Sequence, residues 1–327
     1  MTHFMVTGAN GFVGGALCER LRHQGHAVTK IQRAATAGDG TGADCLPAGD
    51  DFSELAAHWP PARPCDVAIH LAARVHVMNE PGQDALARYR RTNVQGSLRV
   101  AEVALRAGAT RFVFVSSVKA LGDVEPGTPP HPWRISDTPT PADPYGISKL
   151  EAERALASLC HGTAMSLVVV RPPLVYGPHV RANFLRLMAA VAKRRPLPLA
   201  SVHACRSMIH IDNLVDALLT CATHAGAAGE IFHVSDGEDL PVAAIVRVLG
   251  SEMARPARLL RVPPVLLETA AALLGRQEQA SRLLRPLRLD IAHIRDRLGW
   301  EPPVSAENGL RATAAWYRDR FLSSRQG

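Results

Sequence analysis

Tyr145 and Lys149 stand four residues apart in the run D143-P-Y-G-I-S-K149, so on a helix they share one face. Asp143 has the side chain of a helix cap and Pro144 suits a first helical turn, which predicts that a helix begins here. A phenol normally titrates near about 10 and is a poor base at neutral pH. A neighbouring ammonium favours the phenolate and brings its proton transfer into range. A hydroxyl is also at hand. The apolar run Arg111–Ser116 reads as a strand that ends in Ser116 and Ser117. In an open α/β sheet the ligand crevice lies beyond the carboxyl ends of the strands, so both serines are expected in it. Ser117, Tyr145 and Lys149 together suit proton exchange with one oxygen of a bound substrate.

Such a triad needs an electron carrier beside it, and the N-terminus supplies the place for one. Phe4, Met5 and Val6 form a short apolar strand, and Gly8, Gly11 and Gly14 follow at intervals of three before an amphipathic helix. Gly8 allows the reversal, Gly11 removes a side chain where a pyrophosphate approaches, and Gly14 permits close helix packing. Free N–H groups and the helix dipole then favour phosphate, so a nicotinamide dinucleotide is expected. The second strand, Val28–Ile31, ends in Gln32 and Arg33 with no carboxylate. Arg33 suits a 2′-phosphate, which favours NADP(H); a surface role for Arg33, with Gln32 on a free hydroxyl, leaves NAD(H) open. Asp50 and Asp51 follow a third strand near the adenine position. The run Asp66–Ala73 reads as a strand closing on Leu71, Ala72 and Ala73, flat enough for a ligand to lie on, with His70 read as a satisfied core histidine. A helix over 84–108 carries Asn93 and Gly96, and a proline-rich loop over 125–144 is long enough to cover a site. Strands alternating with helices predict an α/β, doubly wound parallel sheet.

The chain has 327 residues, enough for one large domain or two unequal ones. The formal charge of +7 carries no dense basic block beyond Lys193–Arg195, which speaks for an anionic small ligand and against nucleic acid. Six cysteines lack metal or paired spacing, so free thiols, no metal site and a cytoplasmic location are expected. No apolar run reaches membrane-spanning length, so no membrane partner is expected. The most apolar stretch, Val262–Leu274, reads as a core-packing helix.

The motifs G8-A-N-G-F-V-G14, Ser117 and Y145-G-I-S-K149, in that order, resemble the extended short-chain dehydrogenase/reductase family. This is the NAD-dependent epimerase/dehydratase group that includes UDP-galactose 4-epimerase and nucleotide-sugar reductases. The resemblance implies a Rossmann domain over residues 1–171, with 209–235 and about 290–300 returning to it. It implies a smaller, mostly helical substrate-binding lobe from 172–208, 236–289 and 301–327. By the same resemblance Gly8, Asn10, Gly11, Phe12, Val13, Gly14, Asp50, Asp51, Leu71, Ala72, Ala73, Asn93 and Pro172 contact the cofactor, with Tyr145 and Lys149. Asn183 and Arg206 contact a sugar nucleotide, and either Arg282 or Arg285 adds a second diphosphate contact, Arg282 being favoured. Lys119 either touches substrate or is a loop cation. Dehydrating relatives carry Thr-Asp-Glu or Thr-Asp-Lys after the strand, whereas this chain has Ser117, Val118, Lys119, so dehydration is not expected. The runs R-V-H-V-M-N-E at 74–80, S-S-V-K at 116–119 and R-P-P-L-V-Y-G-P at 171–178 look most like 4-ketoreductases of UDP-2-acetamido-2,6-dideoxyhexos-4-uloses. A UDP-hexose 4-epimerase is the alternative. A UDP-sugar substrate and a homodimer through the Tyr145 helix and its neighbour complete the expectation.

Overall fold

Alternate side chains along each inner strand are apolar on both faces, and that pattern builds three layers. The computed structural model describes residues 1–32, 44–75, 84–122, 131–275 and 284–323. Strand β1 (His3–Thr7) is central. Its Phe4 and Val6 point into one core with Leu17 and Leu21 of helix α1 (Phe12–His23), while Met5 points into the other. Beyond it lie β2 (Ala27–Gln32) and β3 (Cys45–Pro47); β4 (Val67–His70) then returns to the opposite side of β1. β5 (Arg111–Val115), β6 (Ser166–Arg171) and β10 (Ile231–His233) extend that side, every pairing parallel. The order β10-β6-β5-β4-β1-β2-β3 is the doubly wound sheet expected. Strands are added outward in one sense from β1 through β3 and in the other from β4, so the crevice for a ligand opens between β1 and β4.

The helix expected over 84–108 is three pieces: α3 (Ala85–Tyr89), a wider π-turn over Arg90–Gln95, and α4 (Gly96–Arg106). A Cβ on Gly96 would lie 2.9 Å from the Phe52 ring, which explains the glycine where α4 meets the β3 loop. Helix α5 (Pro144–Cys160) begins at the predicted cap: Asp143 Oδ1 accepts from Gly146 N at 2.9 Å.

Past Arg171 the chain leaves the sheet through β7 (Leu174–Tyr176), which pairs with β9 (Met208–His210), while β8 (Cys205–Arg206) pairs with β11 (Leu240–Pro241). Tyr176, Phe184, Met188, Leu249, Leu310 and Tyr317 form a separate apolar cluster between α6 (Ala182–Ala192), α8 (Val242–Glu252) and a C-terminal helix, Ala306–Phe321. Helix α7 (Ile211–Thr223) packs on the main sheet with α1.

One helix departs from expectation. α9 (Pro264–Leu273), read from the sequence as core-packing, buries none of its residues. Three apolar side chains in a row, Val265–Leu267, cannot all face one side of a helix, and only Leu267 joins the neighbouring apolar cluster.

Candidate functional site

The glycine turn is built as the spacing predicts. Gly8 has φ +66°, and a Cβ there would stand 3.0 Å from Ala72 N, so both the left-handed backbone and the close Ala72 backbone favour glycine. Gly11 N donates to Gly8 O at 2.8 Å, and a Cβ on Gly14 would fall 2.1 Å from the same oxygen. Gly14 thus lets α1 close onto the turn itself. Gly11 is the N-cap with no side-chain cap, and the first turn of α1 has no acidic residue. Its N–H groups remain available to an anion, which fits a dinucleotide's pyrophosphate. Asn10 Oδ1 accepts from Gln32 Nε2 at 2.6 Å, tying the turn to the end of β2. Phe12 and Val13 are half-buried, Phe12 toward the lobe cluster and Val13 toward the main core. Arg33 and Arg282 lie outside the described residues, as does His76–Glu80 of the 74–80 run.

Asp50 and Asp51 divide their work. The Asp51 carboxylate is bound by Arg91 Nε at 2.9 Å and Arg99 Nη1 at 3.1 Å and accepts from Ser53 N at 3.2 Å. The Ser53 and Arg91 hydrogen bonds hold its acid far below the ordinary carboxylate range. Its side chain is therefore occupied in fixing the π-turn and α4, and the exposed Asp50 side chain is the one left facing solvent beside the β3 loop.

Ser116 and Ser117 also part company, against the expectation that both reach the crevice. Ser116 is buried and donates to Glu153, whose carboxylate also grips Arg171 through Nε at 3.0 Å and Nη2 at 2.6 Å. Alternation along the strand sends neighbouring side chains to opposite faces, so only one serine can face the site. Ser117 does so. Its Oγ accepts from Lys119 N at 3.2 Å and hydrogen-bonds to the Tyr145 hydroxyl.

Burial pushes the Tyr145 phenol up to about 12; the Ser117 bond opposes this, and Asp143 and Tyr89 add to it. Lys149 is fully buried, its Nζ donating to Val115 O at 2.7 Å and lying 4.5 Å from the centre of the Phe114 ring. Burial lowers its pKa to about 7, with Glu153 acting the other way. The sequence argument had the ammonium lowering the phenol. Here Lys149 Nζ is held under the strand end by Val115 O, and burial raises the Tyr145 phenol more than the Ser117 bond lowers it.

Helix α5 reaches this position through Gly146. A Cβ there would lie 2.3 Å from Lys119 O, so the helix start rests directly on the loop after β5. Lys119 Nζ stands 3.6 Å from Asp143 Oδ2, beside the cap, with its side chain half-buried. Pro172 closes the same corner, its carbonyl accepting from Val118 N at 3.0 Å.

A buried polar chain joins the glycine turn to the start of α5. Thr7 Oγ1 accepts from Leu71 N and Ala72 N, both at 3.1 Å, so its proton goes to His70 Nδ1 at 2.7 Å. His70 Nε2 then donates to Ser97 Oγ at 2.9 Å, and Ser97 donates to Asn93 O at 2.6 Å. Asn93 Nδ2 donates to Ser148 Oγ at 3.0 Å, and Ser148 donates to Tyr145 O at 2.8 Å. Asn93 also exchanges bonds with the Arg74 backbone just past Leu71–Ala73. His70 is the satisfied core histidine expected; burial lowers its pKa to about 3, helped by Lys149. The sequence pointed to Asn93 and Gly96 through residue type. The roles of Gly146, Ser97 and Ser148 show only once the chain is folded, because their partners lie far away in sequence.

In the lobe, Asn183 is exposed at the start of α6, and Arg206 is half-buried with Nη1 on Arg285 O at 2.9 Å. Arg285 is exposed beside it.

A glycine turn over a parallel switch point, with a serine, a tyrosine and a lysine at the next strand end, agrees with comparison to known proteins. A UDP-glucose 4-epimerase of Vibrio cholerae is 37% identical over 316 residues, 95% of this chain and 94% of that protein. A GDP-6-deoxy-D-mannose reductase of Pseudomonas aeruginosa is 26% identical over 96% of this chain and 97% of its own. The solved structure of MoeE5 with UDP-glucose and NAD superposes with a TM-score of 0.75 at 25% identity, covering 97% of this chain and 99% of that one. Residues 4–235 match the model of the NAD dependent epimerase/dehydratase family, and the chain belongs to that family.

Proposed function

We propose that the protein is a nicotinamide-dependent oxidoreductase of nucleotide sugars. In our reading it reduces the C4 ketone of a UDP-2-acetamido-2,6-dideoxyhexos-4-ulose to give UDP-N-acetylquinovosamine or UDP-N-acetylfucosamine. Relatives act on or bind nucleotide sugars, and MoeE5 binds UDP-glucose with NAD, which supports a nicotinamide cofactor here. The observation that carries the oxidoreductase reading is the Tyr145 hydroxyl on Ser117 at the end of β5, a pair that exchanges a proton with one substrate oxygen.

When bound, a reduced nicotinamide supplies the hydride that C4 receives. Tyr145 gives its proton to the substrate oxygen, and Ser117 holds that oxygen beside the phenol. Lys149, one helical turn beyond Tyr145 with its Nζ on Val115 O, is assigned to the nicotinamide ribose. No carboxylate follows Ser117 among Val118, Lys119 and Ala120, so removal of water lacks its acid and base. Asn183 and Arg206, with Arg282, are assigned to the UDP moiety, and Arg33 to a 2′-phosphate of NADP(H).

The Vibrio relative favours a second reading, a UDP-hexose 4-epimerase that holds NAD and returns the hydride to the other face. Two measurements separate them. A 4-keto sugar that consumes stoichiometric NADPH supports reduction. Cofactor retained through gel filtration, with interconversion of UDP-glucose and UDP-galactose and no net consumption, overturns it.

A further inference from the structure

The outward helix α9 is the apolar half of a larger surface. Val265 is 68% exposed, Leu266 59%, Leu273 84% and Leu274 69%, and Leu260 just before the helix is 49% exposed. Leu266, Ala270 and Leu273 fall on one stripe, opposite the partly buried Leu267 and Ala271. The segment 253–267 leading into it carries Arg255, Arg258 and Arg261, all exposed, and no Asp or Glu. The chain's basic run lies alongside. Leu197 N donates to Arg258 O and Leu260 N to Leu197 O, both at 2.8 Å, which sets exposed Lys193, Arg194 and Arg195 at the edge of the same surface. Six cations thus border an apolar helix whose single carboxylate is Glu268.

We propose that this face docks on a bilayer rich in anionic phospholipid, with α9 lying in the headgroup plane and the cations meeting lipid phosphates. Apolar side chains beside clustered arginines suit a surface that is oily below and negative above. A second copy of the chain is a poorer occupant. A twofold contact sets a patch against itself, and here it would press the six cations onto their own copies. No helix among the described residues is long and apolar enough to cross a bilayer, which leaves lying on one open.

The test is flotation of the full chain with vesicles of phosphatidylcholine containing phosphatidylglycerol, and with vesicles of phosphatidylcholine alone. Binding should appear only with phosphatidylglycerol and fall as salt is raised. Replacing Arg255, Arg258 and Arg261 together by Ala should weaken it about a hundredfold. Leu266→Glu with Leu273→Glu should weaken it at least about tenfold while turnover in solution stays unchanged, which shows that the variant folds. Equal binding to both vesicles, or none to either, overturns the proposal. So does a concentration-dependent dimer by light scattering that the paired glutamates dissolve, since a second copy would then be the occupant.

Discussion

Gly146→Ala isolates the positioning of Tyr145 from its chemistry. The added Cβ would lie 2.3 Å from Lys119 O and 3.1 Å from Lys119 C and Pro141 Cβ. Two of those atoms are backbone, so no rotamer relieves the contact; ordinary packing requires a shift of about 1 Å between α5 and the loop after β5. That shift separates the Tyr145 hydroxyl from Ser117, and a displacement of this size costs about a hundredfold in turnover. Overpacking costs about 1–3 kcal/mol of stability, although Ala favours helix over Gly by about 1 kcal/mol. The assay is oxidation of the reduced nicotinamide by a UDP-4-keto sugar, with thermal unfolding in parallel. Gly15→Ala is the stability control: its Cβ meets nothing nearer than Ala9 O at 3.9 Å, and it should raise the melting temperature. Wild-type turnover in Gly146→Ala, with the variant folded, would refute the claim that this contact sets the distance from phenol to serine.

Tyr145→Phe removes the proton donor and should lower kcat about a hundred- to ten-thousandfold while cofactor affinity, measured by fluorescence quenching, is retained. Lys149→Met should abolish turnover and also stabilise the fold. The folded pKa near 7 lies below the ordinary 10.5, so the wild type carries the full penalty of the buried charge below pH 7 and loses it as pH rises toward 10.5. That penalty is at most about 5 kcal/mol; less the lost bond to Val115, the net gain at pH 6 is about 2 kcal/mol and should vanish above pH 10 in denaturant titrations. His70, lowered to about 3 by burial, contributes stability that is present above pH 6.5 and lost as pH falls toward 3. Urea titrations from pH 7 to pH 4 should show about 3 kcal/mol of this loss in the wild type and less in His70→Gln.

The glycine turn, the sheet and the Tyr145 helix were legible because each is a local pattern: three glycines after an apolar run, or a phenol and an ammonium one helical turn apart. What escaped was decided by partners distant in sequence. Nothing near Ser116 announces that Glu153 will take its hydroxyl, and nothing near Asp51 announces Arg91 and Arg99. The π-turn over Arg90–Gln95 is invisible to a 3.6-residue period, yet it is what aims Asn93 at both Arg74 and Ser148. Helix α9 misled because apolar content alone reads as burial; its consecutive Val265, Leu266 and Leu267 leave no polar face to turn outward.

The link from Thr7 through His70 and Asn93 to Ser148 runs through buried side chains from the glycine turn to the start of α5. A change at Ser97 or Ser148 would therefore loosen the glycine turn and the Tyr145 helix together.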